Sequence, residues 1–287
     1  MQDMIDKHID WIDGAKGVAI ICVILLHCLP DLDAIYYVMH IGQAVSVFVF
    51  ITSYLIAIHY KSLLEYFSWK RITKMLRTML PPFLIVLAYE VLVNYIHFGE
   101  FFHLKSLFLA GGCYGPGSYY LFLYLSLWIL CPFVTELVKR TPWWLSFIVM
   151  LAISIASEYA VVLMMGKVSH LEALYRLAPI RYLMILWLGA AYPQFTKRMN
   201  ILFVIVAIFS GVILAETLYI TENQHITPPY WNGRHWYSVL YCFLPVQLLQ
   251  KVHYSETLLW LGKHSWQIFC FQMFVFWCVM INSSLKF

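Results

Sequence analysis

The chain of 287 residues is 62% hydrophobic and 12% charged, with a mean hydropathy of +0.74. So few charged groups cannot clothe a water-soluble domain, and the proportions describe a polytopic membrane protein. The net charge of +4 gathers in short loops, where membrane topology accounts for it without any nucleic-acid surface.

A membrane-crossing helix needs about 20 mostly apolar residues. Nine stretches qualify: 12–29, 41–60, 80–98, 119–138, 143–165, 178–193, 201–220, 237–250 and 258–281. The expected fold is therefore all-α, a polytopic transmembrane helix bundle of nine to ten spans, with 1–287 as one integral domain. A re-entrant piece around 101–117 would supply the tenth. The N-terminal segment has neither a basic n-region nor a small-residue cleavage site, so no cleavable signal is expected.

The first span carries a polar stripe of Asp13, Lys16 and His27. Lys16 and His27 are eleven residues apart, about 1100° of helical rotation, so they project within roughly 20° of each other across about 16 Å of rise. Ionisable groups inside a bilayer cost roughly 2.5 to 3.5 kcal/mol each on insertion scales and are functional candidates by default. The structural alternative has Lys16 snorkelling to the interface and His27 capping the far end.

Lys61, Lys70, Arg71, Lys74 and Arg77 follow the second span, and Lys139, Arg140, Lys197 and Arg198 follow later ones on the same side. The opposite loops carry Asp31, Asp33, Glu100 and Lys105, so the positive-inside rule puts the N-terminus in the cytoplasm and His27 near the far face. Lys263 and His264 also fit the cytoplasmic side. Within the basic segment, Lys70, Lys74 and Arg77 fall at i, i+4, i+7, with Arg71 one step off. Such a cationic face suits either the phosphates of a ligand such as coenzyme A or anionic lipid headgroups.

Further along, Glu90, Glu158, Glu216 and Arg181 lie inside expected spans, where mutual pairing would offset their burial. Tyr114-Gly-Pro-Gly-Ser118-Tyr119-Tyr120 breaks the helical pattern ahead of the fourth span, as backbone lining a cavity would, or as an ordinary loop. Tyr230, Trp231, His235, Trp236 and Tyr237 make an aromatic cluster suited to an interface belt or to sugar stacking. The seven cysteines lie mostly within spans as small hydrophobes, and no Cys/His spacing suggests zinc, so no metal is expected.

The run Asp13-Gly-Ala-Lys16-Gly-Val-Ala-Ile-Ile-Cys-Val-Ile-Leu-Leu-His27 resembles the first helix of the acyltransferase-3 family of integral membrane acyltransferases, whose signature is Arg, ten residues, then His. Lys16 stands in the Arg position, keeping the charge and losing the planar fork. The segment 43–55 resembles the family's second helix, with Thr52 and Ser53 in place of its Ser-Gly. The stretch through Arg71, Lys74 and Arg77 into Pro81 resembles its cytoplasmic basic segment. Leu261-Gly-Lys263-His-Ser-Trp266-Gln-Ile-Phe-Cys-Phe-Gln272 resembles its last helix, with Gln272 where many members carry His.

The resemblance implies transfer of an acyl group, commonly acetyl, from cytoplasmic acyl-CoA to a hydroxyl of a saccharide or lipid-linked saccharide, with acetyl-CoA as donor. It implies a bacterial cytoplasmic (inner) membrane as the setting, with membrane lipids around the bundle and a homo-oligomer left open. His27 is then the candidate general base, since its unperturbed pKa lies near working pH. Lys16, oriented by Asp13, would hold the coenzyme or stabilise developing negative charge, and Lys70, Arg71, Lys74 and Arg77 would take the nucleotide phosphates. Tyr114, Ser118, Tyr119, Glu90, Arg181 and Gln272 are the substrate-binding candidates. Both direct transfer and a transient acyl-histidine fit, with direct transfer preferred. The competing readings are a proton-coupled transporter of small solutes and a family member without catalysis.

Overall fold

A computed structural model describes residues 10–28, 39–99, 120–164, 167, 175, 178–224 and 236–284. Among these residues every regular element is helical: α1 (Asp10–Cys28), α2 (Ala44–His59), α3 (Leu63–Tyr66), α4 (Trp69–Phe98), α5 (Tyr120–Arg140), α6 (Trp143–Met164), α7 (Leu183–Ala191), α8 (Lys197–Gln224), α9 (Phe243–Leu249), α10 (Glu256–Lys263) and α11 (Ser265–Ser284). Six stretches are long and apolar enough to cross a membrane: Asp10–Cys28, Ile41–His59, Trp69–Val93, Tyr120–Arg140, Trp143–Met164 and Lys197–Tyr219. The expected helical membrane bundle is therefore what the chain forms.

Three expected spans are built differently from single rods. The stretch 178–193 becomes a 3₁₀ turn, the nine-residue α7 and a second 3₁₀ turn. All nine residues of α7 are buried. At 1.5 Å per residue this helix is about 14 Å long, half a bilayer core, so its all-round apolar character marks the centre of the bundle. Gly189 lets α2 press against it, since a Cβ there would stand 2.6 Å from the Phe50 carbonyl oxygen. Ser53 donates to the Leu186 carbonyl at 2.6 Å, and the Trp187 indole donates to Ser146 Oγ at 2.9 Å, tying α7 to α2 and α6. The stretch 237–250 is likewise a 3₁₀ turn followed by the short α9.

The basic segment and the third expected span are one continuous helix, α4, that runs for 30 residues through Pro81 and Pro82. Proline withholds an amide donor from the ladder, which a membrane helix tolerates when neighbours support it. Gly99 ends α4 at φ 71°, its amide donating to the Tyr95 carbonyl at 2.9 Å. The last expected span breaks at His264 into α10 and α11. The break lets α10 fold across α1 while α11 runs beside α4.

The crossing of α1 and α10 depends on glycine. A Cβ on Gly262 would lie 1.7 Å from the Asp13 carbonyl oxygen, and one on Gly17 would lie 2.2 Å from that of Leu258. Gly14 is overlain by the Tyr254 ring, with a hypothetical Cβ 2.2 Å from its Cγ. Small residues of this kind let membrane helices approach to backbone contact.

Candidate active site

The face of α1 that carries Lys16, Ile20, Val23 and His27, at i, i+4, i+7 and i+11, lines a cavity of about 770 Å³. The volume falls in the range of small-molecule sites. The cavity's other walls come from α2 (Val45, Phe48, Ile51, Thr52, Ile56), α4 (Arg71, Lys74, Met75, Thr78, Met79), α5 (Tyr120, Tyr124, Trp128) and the α10–α11 junction (Lys263, Trp266, Phe269). Lys16 and His27 thus share one face and one cavity, as the rotation arithmetic requires. The His27 ring meets Phe276 of α11 edge-on, centroids 5.6 Å apart.

Charge is confined to one end. Arg71, Lys74, Lys263 and His59 line the cavity there, Lys16 stands further in, and from Lys16 to His27 the α1 face is Ile20, Val23 and Leu26. Lys16 Nζ pairs with Asp13 Oδ1 at 3.4 Å, and Asp13 is itself buried beneath the α10 crossing. Asp13 does not line the cavity; it holds the lysine that does. Arg71 pairs with Glu65 at 3.4 Å, donates to the His59 carbonyl and lies 5.7 Å over the Tyr66 ring.

The loop that joins α2 to α4 is latched to α5 beside this basic end. Buried Tyr60 donates its hydroxyl to Glu136, Lys139 donates to the Tyr60 carbonyl at 2.7 Å, and Tyr66 donates to the Trp128 carbonyl at 3.1 Å. Arg140 also pairs with Glu136. Burial, and then the bond to Glu136, push the Tyr60 phenol up to about 12, so it remains a neutral donor at any working pH.

Of the cationic face expected on the basic segment, Arg71 and Lys74 line the cavity, while Lys70 and Arg77 are exposed away from it. The stripe that faces inward is Arg71, Lys74, Met75, Thr78 and Met79 rather than the i, i+4, i+7 set through Lys70. Tyr114, Ser118 and Tyr119 lie outside the described residues, as do Tyr230, Trp231 and His235. Glu90 is fully buried on α4, within electrostatic reach of Cys278 of α11, and is not on the cavity wall. Arg181 and Glu158 gather around Tyr175 in a separate cluster, where Glu158 also accepts from the Trp236 amide at 3.1 Å. Glu216 sits on the exposed face of α8.

Sequence reasoning singles out neither Tyr124 nor His59, and names Lys263 as a topology marker and within the last-helix resemblance without giving it a role in the site. Tyr120, Tyr124 and Trp128 share a signal, an aromatic stripe at i, i+4, i+8 on α5 that stands against Phe48, Trp266 and Phe269. That stripe is visible in the sequence but indistinguishable there from ordinary core packing.

Gln272 is buried on α11, and neither atom of its amide has a hydrogen-bond partner among the described residues. A buried unsatisfied amide costs about 1 to 3 kcal/mol. Gln272→Met, which keeps the volume and removes the polar atoms, is therefore expected to raise the melting temperature of the purified protein by several degrees. An unchanged or lowered melting temperature in Gln272→Met would show that the amide is satisfied in the working protein.

Among the described residues no group of three or more His, Cys, Asp or Glu side chains could hold a metal ion. No curated protein and no solved structure matches the chain. A family model described as an acyltransferase domain matches residues 9–284, nearly the whole length. With that match laid over a helical bundle of six spanning stretches, the chain belongs to the acyltransferase-3 family and is a membrane-bound acyltransferase.

Proposed function

We propose that the protein moves an acyl group, acetyl in the first instance, from cytoplasmic acyl-CoA to a hydroxyl of a saccharide or lipid-linked saccharide at the outer face of a bacterial cytoplasmic membrane. The observation that carries this reading is the single cavity joining a basic end, with Arg71, Lys74 and Lys16, to His27 about 16 Å further along α1. A donor with an anionic head and a long uncharged arm ending in a thioester has that same division of charge and length.

In this reading the N-terminus is cytoplasmic and the nucleotide phosphates rest at the basic end. His27 takes the proton of the acceptor hydroxyl as its oxygen attacks the thioester carbonyl. The carbon–sulfur bond then breaks, and the coenzyme A thiolate leaves with the proton that His27 returns. Lys16 is too far from His27 to meet the oxyanion, so its task is to hold the donor, with Asp13 fixing its ammonium. The acceptor reaches His27 from the opposite end, and His27 acts as a base without carrying the acyl group itself.

The test is incubation of the detergent-purified protein with acetyl-CoA, with binding and release of free coenzyme A followed by chromatography. Saturable donor binding with slow release of coenzyme A, accelerated by a saccharide acceptor, is expected. Absence of donor binding overturns the acyl-CoA reading and turns attention to ion-coupled transport in vesicles. Trapping of labelled acetyl on His27 with donor alone overturns the direct route.

A further inference from the structure

The charge balance at the basic end differs from residue to residue. Lys16 is matched by Asp13 and Arg71 by Glu65, each at 3.4 Å. Lys74 and Lys263 line the same cavity and have no acidic partner among the described residues.

These two lysines stand on different walls. Lys74 is on α4, and Lys263 ends α10 just before the break at His264. The register between the walls is pinned where the Trp266 indole donates to the Met79 carbonyl at 3.1 Å. From that pin Lys74 lies five residues back along α4, about 7.5 Å of rise toward the basic end. Lys263 lies three residues back across the break, in the same direction, because α10 brings Gly262 onto Asp13 near the inner end of α1. Both lysines therefore line the basic end of one cavity, and both are exposed residues.

Two uncompensated ammonium groups facing one opening repel each other when the site is empty, and an anion between them relieves that repulsion. An ammonium offers three rotatable donors and no acceptor, which suits a phosphate approached from two sides. We infer that Lys263 and Lys74 clamp a phosphate of the donor between the two walls of the rim, making Lys263 a donor-binding residue of this acyltransferase. The inference rests on the acyl-CoA reading above and extends it to a residue outside the basic segment. Arg71, paired with Glu65, contributes to the same basic end and also positions the loop and its Tyr66 ring.

Two donors separate the possibilities: acetyl-CoA, which carries the phosphates, and S-acetylpantetheine, which shares the arm and thioester without them. Binding of each is measured to wild type, Lys263→Gln and Lys263→Arg in a maltoside detergent, with and without added phosphatidylglycerol. The clamp predicts that Lys263→Gln weakens acetyl-CoA about tenfold, leaves S-acetylpantetheine unchanged and flattens the salt dependence, while Lys263→Arg restores affinity. Unchanged acetyl-CoA affinity in Lys263→Gln overturns it, as does an equal loss for both donors, which would mark Lys263 as a support of the α10 C-terminus. Inhibition by phosphatidylglycerol that Lys263→Gln relieves, with acetyl-CoA affinity unchanged, would assign the lysine to a lipid headgroup instead. If wild type binds neither donor, the acyl-CoA reading fails first and the clamp with it.

Discussion

His27→Ala is expected to bind acetyl-CoA as wild type does and to transfer its acetyl group about a thousandfold more slowly, within the range that a positioned general base contributes. The separation follows from geometry. His27 lines the cavity about 16 Å of helical rise along α1 from Lys16, beyond Ile20 and Val23, so it stands apart from the groups proposed to recognise phosphate. Its loss is a loss in kcat. Lys16→Gln is expected to behave in the opposite sense, raising the KM for donor with a smaller effect on kcat, while Lys16→Arg retains binding. Arg preserves the pairing with Asp13, whereas Gln removes that pairing from a buried carboxylate and lowers stability as well. Both variants are judged by single-turnover release of coenzyme A beside equilibrium binding. Residual transfer by His27→Ala at near wild-type rate would remove His27 from the chemistry and leave the cavity as a donor site whose base lies elsewhere.

The common face of Lys16 and His27 is legible in the sequence because α1 is an unbroken helix of 19 residues, so rotation per residue fixes their azimuth. The same arithmetic misleads on the basic segment. Lys70, Lys74 and Arg77 make as good a helical stripe as Arg71, Lys74 and Thr78, and only the packing of α4 against α11 decides which stripe faces inward. The stretch 178–193 has the hydropathy of a span, but hydropathy does not distinguish burial in lipid from burial in protein. The neighbours α2, α5 and α6 supply the difference around α7. Lys263 was beyond reach for a further reason. Its place on the rim depends on the break at His264 and on the crossing of α10 over α1, neither of which has a periodicity to read.

That crossing bears the largest expected effect on the fold. Gly262→Val is expected to prevent assembly, and Gly262→Ala to yield protein that melts at least several degrees lower and transfers acetyl about a hundredfold more slowly. The alanine Cβ would sit 1.7 Å from the Asp13 carbonyl oxygen, against rigid helix backbone on which no side chain can give way. Restoring ordinary contact requires α1 and α10 to part by about 2 Å. Overpacking of this kind costs roughly 1 to 3 kcal/mol and more where backbone must move. The functional loss has a second source, since α1 carries Lys16 and His27 while α10 carries Lys263, and an error of about 1 Å between such elements costs on the order of a hundredfold in rate. Gly99→Ala is the control. Gly99 has nothing within 4 Å of a hypothetical Cβ and only its φ of +71° to strain, so its cost is the intrinsic one of about 1 to 2 kcal/mol with donor affinity unchanged. Size-exclusion profiles and thermal melts of the three variants, followed by donor binding on whichever remain monodisperse, test the ordering. A Gly262→Val protein that elutes and melts like wild type would mean that the close crossing of α1 and α10 does not hold the site together.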